Sequence, residues 1–559
     1  MEIETLVILG TVLGIIVVFF AKGIYDQRRN RILFRQQLKK NYGKYPTREY
    51  SPEQYASIAR YYEKNRKSYA IDEITWNDLD MDSVFQQMNH TYSSAGEEYL
   101  FYRLHTPEQT GDRQMTDEKL IRYFMEHEEE RMDLQMVFRQ IGKTGKYSLF
   151  DYLQFLGTLG KRDNGKHIFR NVLYLLAIGL IFFKPFLGVT LFLVVMCYNI
   201  ITYSKEKSEI EPYFVSMKYI LRIVDGVDMI ADLHCSGIQE QVEELNTLKK
   251  EFGSFKRKSM LLGRGGGTGE LAEALLVYLK MMFHFDILVF NSALGELRKH
   301  IEDVDRLVAG IGYLESSIAI GCFRACLEEY CTPEFTGDHR MEAEDMYHPL
   351  IGNPVKNSFA TTRGILLTGS NASGKSTFLK TVAINGILAQ TVNTCLAKRF
   401  VTEHYRIYSS MALRDDLNSG ESYYIVEIKA LKRILDAIGD RNGNPVLCFV
   451  DEVLRGTNTV ERIAASAQIM KSLTGPFVMC YAATHDIELT HLLEKEYDNH
   501  HFEEEVIEND IVFNYKLMDG RATTRNAIKL LGIIGYDEQL IGKANAMAAN
   551  FMEKGVWEA

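Results

Sequence analysis

Gly369-Ser-Asn-Ala-Ser-Gly-Lys-Ser-Thr377 decides how this chain is read. The apolar run Ile365 to Leu367 precedes it, and an amphipathic segment begins at Phe378. Strand, glycine loop and helix in that order make a P-loop, in which backbone N–H groups wrap phosphates at the positive end of a helix. The loop supplies Gly369, Ser370, Asn371, Ala372, Ser373, Gly374 and Thr377 as the cradle. Lys375 is expected on the β- and γ-phosphates, and the Ser376 hydroxyl on Mg2+, a hard cation that takes oxygen ligands.

Two further apolar runs support that reading. Val446 to Val450 ends in Asp451-Glu452, about 75 residues after Lys375, as parallel strands joined by crossover helices require. It reads as a Walker B strand. Asp451 is expected in the Mg2+ shell, and Glu452 to orient or deprotonate the attacking water. Phe477 to Ala483 ends in Thr484-His485, which places His485 to sense the γ-phosphate or donate a hydrogen bond to it.

These motifs resemble the MutS family of DNA mismatch repair ATPases. The match rests on Thr368 to Thr377, on Asp415-Asp-Leu-Asn-Ser-Gly-Glu-Ser-Tyr-Tyr-Ile-Val-Glu427, on Asp451-Glu-Val-Leu-Arg-Gly-Thr-Asn-Thr459, and on Ala483-Thr-His-Asp-Ile-Glu-Leu-Thr490. Weaker similarity runs from Ile71 to Leu104, and again from Asn499 to Gly535, so the pattern covers about residues 70 to 550. The resemblance implies ATP and Mg2+ as cofactors and a composite homodimer. Ser422 would reach the partner's nucleotide, with Ser419 and Gly420 shaping its loop. Departures stand beside the matches. Leu454 occupies a position where the family has a small residue, and no aromatic near Pro354 and Val355 offers itself to adenine. Neither a mismatch-recognition domain nor a nuclease-like extension is expected, and Phe502-Glu-Glu504 reads as structural.

Composition bounds the partners. The 559 residues carry a net charge of −10, the wrong sign for a surface devoted to phosphate backbones, although a local basic groove is compatible with it. The eight cysteines show neither paired spacing nor zinc-type histidine patterns, so free thiols are expected.

Leu6 to Ala21 holds no charge and is followed by Lys22, Arg28, Arg29, Arg31 and Arg35. A secretory signal places its charges first, so this order reads as an uncleaved anchor. Ile168 to Tyr203 is apolar apart from interruptions such as Arg170, Lys184 and Asn199, and Lys184-Pro185 divides it into a helical hairpin. With the basic tract inside, both ends of the hairpin return to the cytoplasm. Segments 112–142 and 205–260 show helical spacing, and Gly263 to Gly269 reads as a flexible link.

The expected architecture is an α/β P-loop NTPase of the MutS/ABC-like kind with an α-helical core and lever domain and transmembrane helices. Its divisions are an anchor at 1–22, a basic linker at 23–69, helical core at 70–167, the membrane hairpin at 168–203, core and lever at 204–344, and the ATPase domain at 345–559. Such a protein sits in the cell membrane with three spans and a cytoplasmic ATPase. ATP-driven closure would clamp DNA, in mismatch repair or on another DNA structure. The alternative is a mechanical or scaffold ATPase acting on a protein or membrane partner.

Overall fold

The computed structural model describes residues 3–145, 148–156, 162–259, 270–370, 373–411, 423–454, 458–507, 510–522, 528, 531 and 535–554. Asn371, Ala372, the loop bearing Ser419, Gly420 and Ser422, and the link Gly263 to Gly269 lie outside them. The chain forms two compact units. One holds residues 1–65, 88–102 and 119–326; the other holds 66–87, 103–118 and 327–559.

The first unit is helical. Helix α1 (Ile3–Asn41) contains the apolar stretch Leu6 to Ala21, most of whose side chains lie outside the described residues. Its last turns bury Phe34 and Leu38 against Met132 and Met136, while Arg35 pairs with Asp133 at 2.6 Å. Helices α2 (Gly165–Phe183) and α3 (Pro185–Asp232) form the expected hairpin. Lys184 ends the first, and Pro185 starts the second at a position where a missing N–H removes no helical bond. At the turn Phe182, Phe183 and Phe186 are 83%, 87% and 89% exposed. Beyond the hairpin come α4 (Glu270–Phe283), α5 (Phe285–Leu297) and α6 (Ile301–Arg324).

Among the described residues, three helices are long and apolar enough to cross a membrane: Gly165–Phe183, Pro185–Glu211 and Ile301–Arg324. They support a multi-pass topology with the α/β unit outside the spans. Burial separates them. The two hairpin windows are 17% and 22% buried, whereas that of α6 is 78% buried. Apolar residues facing outward need lipid; those of α6, such as Leu307, Ile311, Leu314 and Ile318, join the hydrophobic core of the helical unit. The eight cysteines are all free thiols.

The second unit is mixed α/β. Strands β1 (Gly364–Thr368), β2 (Arg406–Ser410), β3 (Val446–Asp451), β4 (Val478–Ala483), β5 (Asp498–His501) and β6 (Met518–Asp519) form one sheet in the order β6-β5-β1-β4-β3-β2. All neighbours are parallel except β6 and β5. Every residue of β1, β3 and β4 is buried, which explains their unbroken apolar runs. A four-stranded sheet lies beside α7 (Lys375–Val392). From it Phe359 sets its ring 5.7 Å from Phe378 and 5.8 Å from Tyr481.

Residues 66–87 read in sequence as linker and helical core, yet they pack in this unit and cover the edge strand β2. Tyr69 donates its hydroxyl to Ile407 O at 3.1 Å, and Asp78 accepts from Ser409 Oγ at 2.7 Å and Met411 N at 2.9 Å. An exposed edge is thereby satisfied by side chains.

Candidate functional site

The parallel register aligns the strand ends on which the site stands. Leu367 of β1 and Asp451 of β3 both pair in register with Ala483 of β4. The residues that follow these strands therefore emerge together, the usual ligand position in an open α/β sheet.

Between β1 and α7 the backbone turns through Gly369 at φ 144° and Gly374 at φ 108°, a region that side-chain-bearing residues rarely adopt. A Cβ on Gly369 would stand 2.8 Å from Phe502 O, so space excludes one as well. Lys375 is buried and donates from Nζ to Gly369 O and Ser370 O, each at 2.8 Å. Ser370 donates to Glu504 Oε2 at 2.9 Å, tying the loop to the strand Glu504–Ile507. Ser373 Oγ is buried with no hydrogen-bond partner among the described residues.

Two pairs face the start of α7. Ser376 Oγ donates to Asp451 Oδ2 at 2.5 Å, and His485 Nε2 lies 2.8 Å from Glu452 Oε1. Glu452 sits at φ 62° and Leu454 at φ 59°, left-handed conformations that cost about 1–2 kcal/mol each for residues with a Cβ. The surroundings hold them there. Glu452 N donates to Ala483 O at 2.9 Å, Ser466 Oγ to Val453 O at 3.2 Å, and Leu454 N to the Glu427 carboxylate. The small residue expected at position 454 thus has a physical reason, and here leucine carries the strain. Glu427 belongs to α8 (Tyr423–Gly439), the helix entered from the 412–422 segment. Asp486, next to His485, receives two bonds from Arg462, at 3.0 and 2.6 Å, which fixes the backbone after β4.

One cavity of about 480 Å³ collects these groups: Ser373 to Thr377, Asp451, Glu452 and His485 line it together with Pro354, Val355 and Asn357. Gly369 and Ser370 contribute through Lys375; Asn371, Ala372, Ser419, Gly420 and Ser422 lie outside the described residues. Tyr515, Phe502 and His348 also line it, and the sequence reading assigned them no role there. Tyr515 brings its ring within 3.1 Å of where a Gly374 Cβ would stand, and its backbone carbonyl accepts from Asn357 Nδ2 at 3.0 Å. The signal available in sequence was Phe513-Asn-Tyr515, apolar and aromatic residues before a turn, which carries no motif spacing. Burial beside Lys380 pushes His348 down to about 4, with Asp80 opposing. His348 Nδ1 accepts from Leu350 N at 3.2 Å, as a neutral ring can.

A mixed parallel sheet with a glycine loop, paired hydroxyl and carboxylate, and a carboxylate–imidazole pair at one mouth defines an ATPase-like α/β domain. Residues 365–552 match the family model described as MutS domain V. Through that region the chain is a distant homologue of MutS domain V, carried on a polypeptide with membrane-spanning helices. It is 28% identical over 267 residues to MutS protein homolog 4 of Mus musculus, covering 44% of this chain and 27% of that protein. It is 32% identical over 227 residues to the DNA mismatch repair protein MutS of Pseudothermotoga lettingae, covering 38% and 27%. With that of Bacillus licheniformis it shares 28% over 342 residues, covering 58% and 38%. The chain spans between 27% and 38% of the length of these relatives.

Proposed function

We propose that the α/β unit is a P-loop NTPase that binds ATP with Mg2+ and hydrolyses it, and that two copies pair so that Ser422 of each, positioned by Ser419 and Gly420, completes the other's site. The observation that carries the hydrolytic part is the convergence of Lys375, the Ser376–Asp451 pair and the Glu452–His485 pair on one cavity.

The donor set fits the cofactors. Ser376 and Asp451 offer hard oxygen ligands and would hold Mg2+, which when bound neutralises charge on the β- and γ-oxygens. The partnerless Ser373 Oγ and the loop N–H groups suit phosphate oxygens. Lys375 exchanges the carbonyls of Gly369 and Ser370 for the β- and γ-phosphates. Glu452 takes the proton of the attacking water at its carboxylate, and the single N–H of His485 either holds that carboxylate in place or turns to donate toward the γ-phosphate. Tyr515 and Val355 wall the space left for the base.

Gripping DNA is the favoured output, since two of the relatives above are named DNA mismatch repair proteins. The exposed apolar hairpin and the net charge of −10 favour a second reading, an ATPase that moves a protein or membrane partner. Detergent-solubilised Glu452→Gln protein, held with ATP, is expected to retain duplex, branched or mismatched DNA with a steep salt dependence. Absence of any DNA-dependent shift removes the DNA reading and leaves the second. Lys375→Ala tests the site itself: unchanged hydrolysis shows that the assigned residues are wrong.

A further inference from the structure

Helix α4 and the bend that follows it do not behave as part of a water-facing helical core. Val277, Tyr278 and Leu279 are three consecutive residues and all are exposed, as is Phe285 just past the bend. Successive helical residues point about 100° apart, so this stretch of the helix has apolar exposure on more than one side. Its C-terminal end is held by hydrogen bonds. There the helix stops at His284, whose φ of 51° is left-handed, and the chain leaves at 70° along α5.

What holds that end is the hairpin. Asn171 of α2 donates from Nδ2 to Phe283 O at 2.9 Å, and Asn199 of α3 donates from Nδ2 to Met282 O at 2.9 Å. His284 Nε2 lies 2.9 Å from Asn199 O and therefore carries its proton there. Its Nδ1 is then an acceptor, which His167 Nδ1 meets at 2.9 Å. Tyr174 of α2 sets its ring 5.4 Å from Phe283. The last carbonyls of a helix have no partner within it, and in an apolar medium they must find one. Two asparagines, one from each hairpin helix, supply it.

We propose that α4 is a membrane-embedded segment that does not span: it continues the apolar surface of the hairpin into the lipid and returns to the protein at His284. Its 14 described residues extend about 21 Å, short of the roughly 30 Å of a bilayer core. The occupant of its exposed face is the bilayer, because its end is bonded to both helices of the exposed apolar hairpin. An apolar patch of this kind facing water would be a liability. The membrane-facing part of the protein is then the hairpin plus a third, re-entering element, and the asparagine pair is the clasp between them.

The test uses the full-length protein in phosphatidylcholine–phosphatidylglycerol vesicles, with and without bromine on the acyl chains. Tyr278→Trp adds a reporter, and the emission of the unsubstituted protein, which carries Trp76 and Trp557, is subtracted. Leu187→Trp on the hairpin and Met115→Trp in the α/β unit bracket the response. The expected result is blue-shifted Tyr278→Trp emission, quenched by brominated chains as far as Leu187→Trp is. Val277→Trp repeats the measurement should the first variant fail to reconstitute. Unshifted emission without quenching, as at Met115→Trp, overturns the proposal. Blue-shifted emission that bromine leaves unquenched also overturns it, since protein and not lipid then covers the face.

Discussion

The mouth of the α/β cavity and the base of the membrane hairpin both bury polar side chains among apolar ones, and they do so to opposite ends. At the cavity, the polar groups stand around a space: Ser376 with Asp451, Glu452 with His485, Lys375 on two loop carbonyls that a ligand can replace. At the hairpin base, Asn171 and Asn199 close on the backbone of α4, and His284 on that of α3. The first arrangement can exchange partners; the second satisfies groups that have nowhere else to go. The largest effect that separates them is catalytic. Glu452→Gln keeps the shape and the hydrogen bond to His485 but cannot accept the water's proton. Phosphate release is expected to fall roughly 10²- to 10⁴-fold while a fluorescent ATP analogue still binds. A fall of less than tenfold would show the Glu452–His485 pair to be structural, and the two regions alike.

Packing gives the next contrast. Leu366 of β1 is 1% exposed and Leu175 of the hairpin 65% exposed, although sequence reads both simply as leucine in an apolar run. Leu366→Ala should destabilise the α/β unit by about 2–5 kcal/mol. Leu175→Ala in detergent should stay within about 0.5 kcal/mol. Thermal or denaturant unfolding followed by two probes, one per unit, distinguishes them; a similar loss at Leu175 would mean that protein buries the hairpin.

The same contrast explains what could be read without coordinates. Gly369 to Thr377, Asp451-Glu452 and His485 were legible because each stands at the end of an apolar run, and parallel strands align such ends. Tyr515 was not, because it reaches the cavity from a chain segment with no fixed spacing to the loop. In sequence, segment 66–87 reads as the end of the linker and the entrance to the helical core, the latter by its resemblance to the family from Ile71 onward. Its attachment to β2 runs through Tyr69 and Asp78 to distant backbone groups, which periodicity cannot show. Helix α4 escaped notice as a membrane element for a related reason. It is too short for a span, Lys280 interrupts it, and its partners are asparagines whose acceptors are main-chain atoms.

A smaller effect tests the cavity wall through pH. The His348 pKa, depressed to about 4, lies below its ordinary value near 6.5 because burial disfavours the charged ring and Lys380 adds to that. Between these values the unfolded chain binds the extra proton, so stability rises with pH across the window. The contribution is complete above pH 6.5 and is lost as pH falls toward 4, by at most about 3 kcal/mol. His348→Asn should flatten the melting temperature of the α/β unit between pH 4.5 and 7 relative to the unsubstituted chain, with the difference confined to that window. A parallel pair of curves would place His348 in water.

The smallest expected effect bears on the hairpin base itself. Asn199 is fully buried, and Asn199→Ala removes the donor to Met282 O. In a water-excluded protein core an orphaned carbonyl costs about 1–3 kcal/mol. Between helices in a bilayer, such bonds average about 0.6 kcal/mol and reach about 1.7, because the separated helices find other partners. Asn199→Ala is therefore expected to cost less than about 1 kcal/mol when unfolding is followed in lipid–detergent micelles, and Asn199→Gln to restore part of it. A loss well above 2 kcal/mol would assign the hairpin base to the protein core, where the clasp would obey the rules of the α/β unit instead of those of the membrane.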